Sequence, residues 1–240
     1  EAVIEALSAR LAKTTIGDPR LESTRMGALV SNSQKRDVLE KAAILATEAT
    51  PVYGNPDDFA VEGADAEKGA FVPPVLFHCE NPDAASRVHD TEAFGPVSTV
   101  MGYRDLHHAV TLANRGEGPL GASCITNDPE VAREVALGSG AYHGRIYFNN
   151  RASMKESTGH GSPLPHMVHG GPGRAGGGEE LGGSRGVKHD MQRTAIQGSP
   201  DILAAIGEQW VPGGTEIPAP AHPFTRKFGE LAIGETLNSP

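Results

Sequence analysis

Glu92-Ala93-Phe94-Gly95-Pro96-Val97 sets a carboxylate two residues from an aromatic ring, ahead of a Gly-Pro turn and the apolar run Val97 to Val100. A carboxylate can accept from two hydroxyls at once, and a ring beside it packs against a flat heterocycle, so the spacing suits a sugar diol joined to such a group. The same residues also read as a turn that opens a strand, with Phe94 in the core. The two cysteines, Cys79 and Cys124, are the other candidates for chemistry. Cys79 follows a proline-broken apolar run and Cys124 lies inside a strand-like one, contexts that read as inert packing rather than as an activated thiolate. His160, His166 and His169 match no standard zinc spacing, and no cysteine or nearby carboxylate completes a set, so no metal is expected and a solvated loop is the reading.

The elements that must hold these residues follow from periodicity and punctuation. Val3, Ile4, Leu7 and Leu11 recur at helical spacing over residues 1 to 13, stopped by Gly17-Asp18-Pro19. Ser31 followed by Gln34 fits a capping box, opening a helix that buries Val38, Leu39, Ala42, Leu45 and Ala46. Residues 51 to 70 read as an exposed loop or hairpin. The prolines in Phe71 to Phe77 suit an edge strand. From Val97 the pattern alternates: a strand to Tyr103, a helix marked by Leu106, Ala109, Val110 and Ala113, and a strand from Gly121 to Thr126. A helix capped by Asp128 with Pro129 at its first position follows, then a strand from Arg145 to Phe148. Two successive strand-helix-strand units predict an α/β fold with a parallel sheet. Ile202 to Trp210 is a short helix pattern within a Pro- and Gly-rich stretch, 198 to 222, that reads as a linker.

At 240 residues the chain can bury a sizeable core, and a net charge of -9 argues against non-specific nucleic-acid binding. No apolar run approaches a membrane span, there is no signal-peptide pattern, and two cysteines make no disulfide framework, so a cytoplasmic location is expected. The opening at Glu1 on a helical pattern and the close at Pro240 after a strand-like run both read as cuts in a longer protein.

By Val97 the chain resembles the C-terminal half of the aldehyde dehydrogenase superfamily. The matching pieces stand in family order: Gly17-Asp18-Pro19, Met26 to Val30, Gly69 to Leu76, Glu92 to Val97, Leu112-Ala113-Asn114, Gly144 to Asn150, and the glycine-rich run around Gly176 to Gly182. That run lacks the Gly-Lys-Ser/Thr of a phosphate loop. Gly170 to Gly183 and Met191 to Pro200 are similar to the bifunctional ring-opening branch of phenylacetate degradation, which joins an aldehyde dehydrogenase to a MaoC-like hot-dog hydratase domain; Phe228 to Leu237 looks like that domain's first strand.

The resemblance implies a truncated parallel-sheet catalytic domain over 1-197 with a C-terminal oligomerisation arm, a linker at 198-222, and the start of a hot-dog domain at 223-240. In the family a cysteine thiolate attacks the aldehyde, hydride passes to a nicotinamide, and a glutamate activates the water that hydrolyses the acyl-enzyme. The nucleophile and that glutamate are expected upstream of Glu1, which leaves no catalytic residue here and an inactive fragment. By motif match, Glu92 holds the nicotinamide ribose and Phe94 packs beside the nicotinamide. His166, Met167 and His169 are assigned to the substrate entrance. Val187 to Gln197 corresponds to the segment that pairs with a neighbouring subunit, giving a homo-oligomer; an intramolecular edge strand is the other reading. The implied cofactor is NADP, with NAD the alternative, and the implied substrate a CoA-linked semialdehyde. An aldehyde dehydrogenase of other specificity and a non-catalytic assembly module remain alternatives.

Overall fold

The computed structural model describes residues 1 to 157, 169, 171, 173 to 174, 191 and 194 to 215. They belong to two compact units, residues 1 to 116 and residues 117 onward.

The first unit opens with α1 (Ala2–Leu11), none of whose residues is buried. Isolated bridges Ile16 to Met26 and Gly17 to Glu62 tie the following loops together. The helix α2 (Asn32–Leu45) starts where the sequence places it: Ser31 Oγ accepts from Gln34 N at 3.2 Å. The reciprocal arm lands one residue earlier than a capping box requires, with Gln34 Oε1 accepting from Val30 N. Strands β1 (Thr50–Tyr53), β2 (Val75–Cys79) and β3 (Val97–Met101) form one sheet in that order, β1 antiparallel and β3 parallel to β2. The short α3 (Arg87–Asp90) and α4 (Leu106–Asn114) complete the unit. Ala42, Leu45, Ala49, Val75, Phe77, Cys79 and Ala85 form its core.

Two expectations change here. Phe71 to Phe77 is not an edge strand: Pro73 and Pro74 precede the ladder, the strand begins at Val75, and it is the central strand with four of its five residues buried. The start of the 51 to 70 stretch, expected as a loop or hairpin, supplies the edge instead, as β1 with Pro51 in it, where a missing N–H is tolerated; its antiparallel pairing with β2 fits the hairpin alternative.

The second unit holds β4 (Gly121–Ile125), α5 (Pro129–Ser139), β5 (Arg145–Asn149), β6 (Ala195–Gln197) and α6 (Pro200–Gly207), with the sheet order β4-β5-β6, all parallel. Asp128 Oδ1 caps α5 by accepting from Glu130 N at 2.9 Å, and Pro129 sits in its first turn as read from sequence. Ala132, Ala136, Ile146, Phe148 and Ile202 are the core. The first of the two strand-helix-strand units does not close within one sheet, because β3 pairs with β2 and β4 with β5. The second, β4-α5-β5, does.

The stretch read as a linker starts with α6, which buries Ile202 and Ala204. Residues 195 to 197, the end of the expected oligomerisation arm, pair with β5 of the same chain, which is the intramolecular alternative for those residues. Residues 187 to 190, the glycine-rich run at 176 to 182 and the expected hot-dog segment at 223 to 240 lie outside the described residues. No helix among the described residues is long and apolar enough to cross a membrane.

Candidate functional site

The connection from β2 to β3, residues 80 to 96, carries Glu92 and Phe94. Its end is held tightly. Pro96 O accepts from Val75 N at 2.9 Å, Gly95 N donates to Ala93 O at 2.7 Å and Val97 N to Gly95 O at 2.8 Å. Gln34 Nε2 donates to Phe94 O at 2.7 Å, fixing the backbone from α2. Ala93 packs against the core of the unit, so the residues on either side of it turn outward. Phe94 is 70% exposed, which removes the reading that places it in the core. The Glu92 carboxylate is exposed and has no hydrogen-bond or ion-pair partner among the described residues.

An unengaged acceptor and an uncovered ring, two residues apart on a braced backbone, fit a vicinal diol bonded to a flat heterocycle. The carboxylate would take the hydroxyl donors and the ring would limit where the heterocycle can lie.

The start of the connection is braced from α4 and from the end of α2. Asp83 meets the Arg104 guanidinium at 2.5 Å and His108 Nε2 at 2.9 Å. These two contacts, Arg104 first, hold its carboxyl below the ordinary carboxylate value. His108 is 6% exposed, and its Nδ1 accepts from Arg104 N at 3.0 Å. Because Nδ1 must keep its lone pair there, the ring proton sits on Nε2 and points at Asp83. Arg115 donates to the carbonyls of Pro82, Asp83 and Ala85. Glu48 accepts from Ser86 N at 2.9 Å and from Val88 N at 3.3 Å. Burial works against ionisation of Glu48, but the N–H groups of Ser86, Val88 and Arg87 outweigh it and its carboxyl titrates below the ordinary value.

Both cysteines sit in surroundings that favour the neutral thiol. Cys79 is 1% exposed, and burial pushes its thiol up. Cys124 is half-buried in β4, and loss of solvent raises its thiol too. An attacking thiolate requires the opposite environment. Of the residues assigned to the substrate entrance, His169 is half-buried with Nδ1 accepting from Gly171 N at 3.2 Å, while His166 and Met167 lie outside the described residues. A groove of about 740 Å³ between α2 and β1 is lined by Leu39, Ala43, Ala46, Val52, Tyr53 and Phe77 among others, but by neither Glu92 nor Phe94. The bracing residues Gln34, Asp83 and His108 were not legible as such. Gln34 reads from sequence only as a capping partner, and nothing local marks Asp83 and His108 as neighbours.

The architecture is that of an α/β protein, with the carboxylate and the ring displayed just ahead of the amino end of β3. Residues 1–196 match the aldehyde dehydrogenase family, and the chain belongs to it. It is 51% identical over 216 residues to the protein MaoC of Klebsiella aerogenes, covering 90% of this chain and 63% of that one. It is 41% identical to a 3,4-dehydroadipyl-CoA semialdehyde dehydrogenase of Aromatoleum evansii, over 71% of this chain and 33% of the relative. Among solved structures, aldehyde dehydrogenase C of Pseudomonas syringae, in complex with NAD+ and octanal, superposes with a TM-score of 0.53 at 29% identity, over 62% of this chain and 29% of the other. The chain thus spans less than two thirds of the length of these relatives, and its fold is part of the aldehyde dehydrogenase fold.

Proposed function

We propose that this chain supplies the nicotinamide-facing wall of an NAD(P)-dependent aldehyde dehydrogenase that oxidises a CoA-linked semialdehyde to the acid. The parent would be bifunctional, of the phenylacetate-degrading type, with a MaoC-like hydratase domain following the linker. The relative named 3,4-dehydroadipyl-CoA semialdehyde dehydrogenase supports this substrate class, and the one named MaoC the MaoC-like parent. The observation that carries the reading is the outward pair: a Glu92 carboxylate without a partner among the described residues, and a Phe94 ring 70% exposed, on a backbone pinned by Gln34.

When bound, the dinucleotide accepts the hydride. Glu92 would accept from the two ribose hydroxyls and Phe94 would stop the ring beside them from swinging. Gly95 and Pro96 set the turn that aims both. NADP is the cofactor proposed, with NAD the alternative, and the active form is proposed to be a homo-oligomer in the cytoplasm. The chain by itself is proposed to be inactive, since its two thiols are both held in the unreactive form.

The test is Glu92→Ala in the full-length protein. Hydrogen bonds to a charged acceptor are worth about 1.5–3 kcal/mol, so kcat/KM of hydride transfer for the dinucleotide should fall roughly ten- to hundredfold. Hydratase activity of the same preparation should be unchanged, and the 240-residue chain by itself should reduce no NAD(P). Wild-type dehydrogenase kinetics in the variant would refute the assignment.

A further inference from the structure

Glu92 and Phe94 stand in a long connection, residues 80 to 96, whose only helix is the one turn of α3. Loops of this length hold a fixed shape only where other elements grip them. The downstream grip is Gln34 on the Phe94 carbonyl and Val75 on the Pro96 carbonyl. The upstream grip is a polar clasp on residues 82 to 85. His108, buried in the first turn of α4, donates through Nε2 to Asp83 Oδ1, and the Arg104 side chain takes Asp83 Oδ2. Arg104 N, donating to His108 Nδ1, fixes the ring so that it can do nothing else. Arg115, just past the other end of α4, holds three carbonyls of the same stretch. His89 Nε2 bonds to Pro82 O at 2.9 Å, closing the loop onto α3. Thr91 N then donates to Arg87 O, and the next residue is Glu92.

A buried imidazole with both nitrogens engaged, one to backbone and one to a carboxylate, is a costly arrangement to leave half-made. Here it connects α4 to a loop whose outward residues are the proposed cofactor contacts. We propose that His108, through Asp83, is a positioning residue for Glu92 and Phe94: the clasp sets where the connection leaves α3, and so where the carboxylate and the ring meet the dinucleotide. The role rests on the reading of Glu92 and Phe94 given above. His108 itself touches neither cofactor nor substrate.

His108→Phe in the full-length protein keeps an apolar ring in the buried site and removes both hydrogen bonds. The expected result without any cofactor present is faster amide hydrogen exchange across residues 84 to 95, with β2 and β3 exchanging as in the wild type. With NADP or NAD titrated at saturating aldehyde, KM for the dinucleotide should rise roughly tenfold while kcat changes far less, because the chemistry at saturation does not use His108. His108→Gln should restore both readouts, since its amide oxygen can accept from Arg104 N and its NH2 can donate to Asp83. Asp83→Asn, a milder change that mismatches one of the two donors, should shift both readouts in the same direction by less. Wild-type exchange and KM in His108→Phe would overturn the proposal, as would a Gln variant no better than Phe. The two readings fail separately. Exchange that responds to His108→Phe while Glu92→Ala keeps wild-type dehydrogenase kinetics would sink the cofactor assignment and the role of the clasp with it. A KM that responds to Glu92→Ala but not to His108→Phe would sink the clasp alone.

Discussion

Gly95 lies against Val38, a side chain of α2 with no exposed surface. A Cβ built on Gly95 would come to 2.7 Å from one Val38 methyl and 3.0 Å from the other, closer than packed carbons tolerate. Gly95→Ala should therefore cost about 1–3 kcal/mol in urea unfolding, the usual range for forcing a methyl into a filled core. Shrinking the neighbour should restore room, so Val38→Ala combined with Gly95→Ala should lose less than the sum of the single changes, with a coupling of at least about 0.5 kcal/mol. Additive losses would show that the two residues do not meet. The sequence makes the Gly-Pro pair legible as a turn. It says nothing of Val38, because that requirement comes from a helix distant in the chain. Phe94 shows the same limit: an aromatic ahead of a strand is as good a core candidate as a surface one until Ala93 is seen to take the inward position.

Among elements, helices with their own start signals were the most legible. Ser31 and Asp128 each accept from backbone N–H groups at the start of their helices, and Asp128-Pro129 marks α5 without tertiary help. The elements that sequence misjudged depend on partners. Two prolines beside an apolar run suggest an edge, but they end where β2 begins. By contrast, the short helix read at Ile202 to Trp210, within the stretch read as a linker, is present as α6, packed into the second unit's core through Ile202 and held by Arg133, whose guanidinium donates to Ile206 O at 2.9 Å and pairs with Glu208 at 2.6 Å. So short a helix has little stability of its own and exists through that packing. Ile202→Ala should cost about 2–5 kcal/mol in chemical denaturation of the second unit. Glu208→Ala, which removes only a partly exposed ion pair, should cost no more than about 1 kcal/mol. Equal, small effects would mean that α6 does not belong to the core.

At the scale of the molecule, the boundary between units falls after Gly116, inside what reads as an unbroken strand-helix-strand series. Periodicity identifies strands but not their partners, so the pattern could not reveal that β3 and β4 belong to separate sheets. The division has a consequence for acid stability. Asp18, Glu48, Asp65 and Asp83 all lie in the first unit and all titrate below their ordinary values; Asp18, beside the Arg20 guanidinium, falls to about 2. A depressed carboxyl releases its proton more readily in the folded state than in the unfolded one. Its contribution is therefore complete above the unfolded value, about 4, and is lost as pH falls through the folded value. Net charge adds to this, since below the isoelectric point near 5.6 further protons only build positive repulsion. These four contributions all belong to the first unit, while Cys124 of the second, raised by burial, acts only at alkaline pH. The first unit should thus lose stability earlier as pH drops from 5 toward 2. Brief digestion with pepsin at about pH 3, read by mass spectrometry, should cut first within residues 1 to 116, and at about pH 5 the same sites should be protected. First cuts in residues 117 to 157 would show that the depressed carboxyls do not govern acid stability.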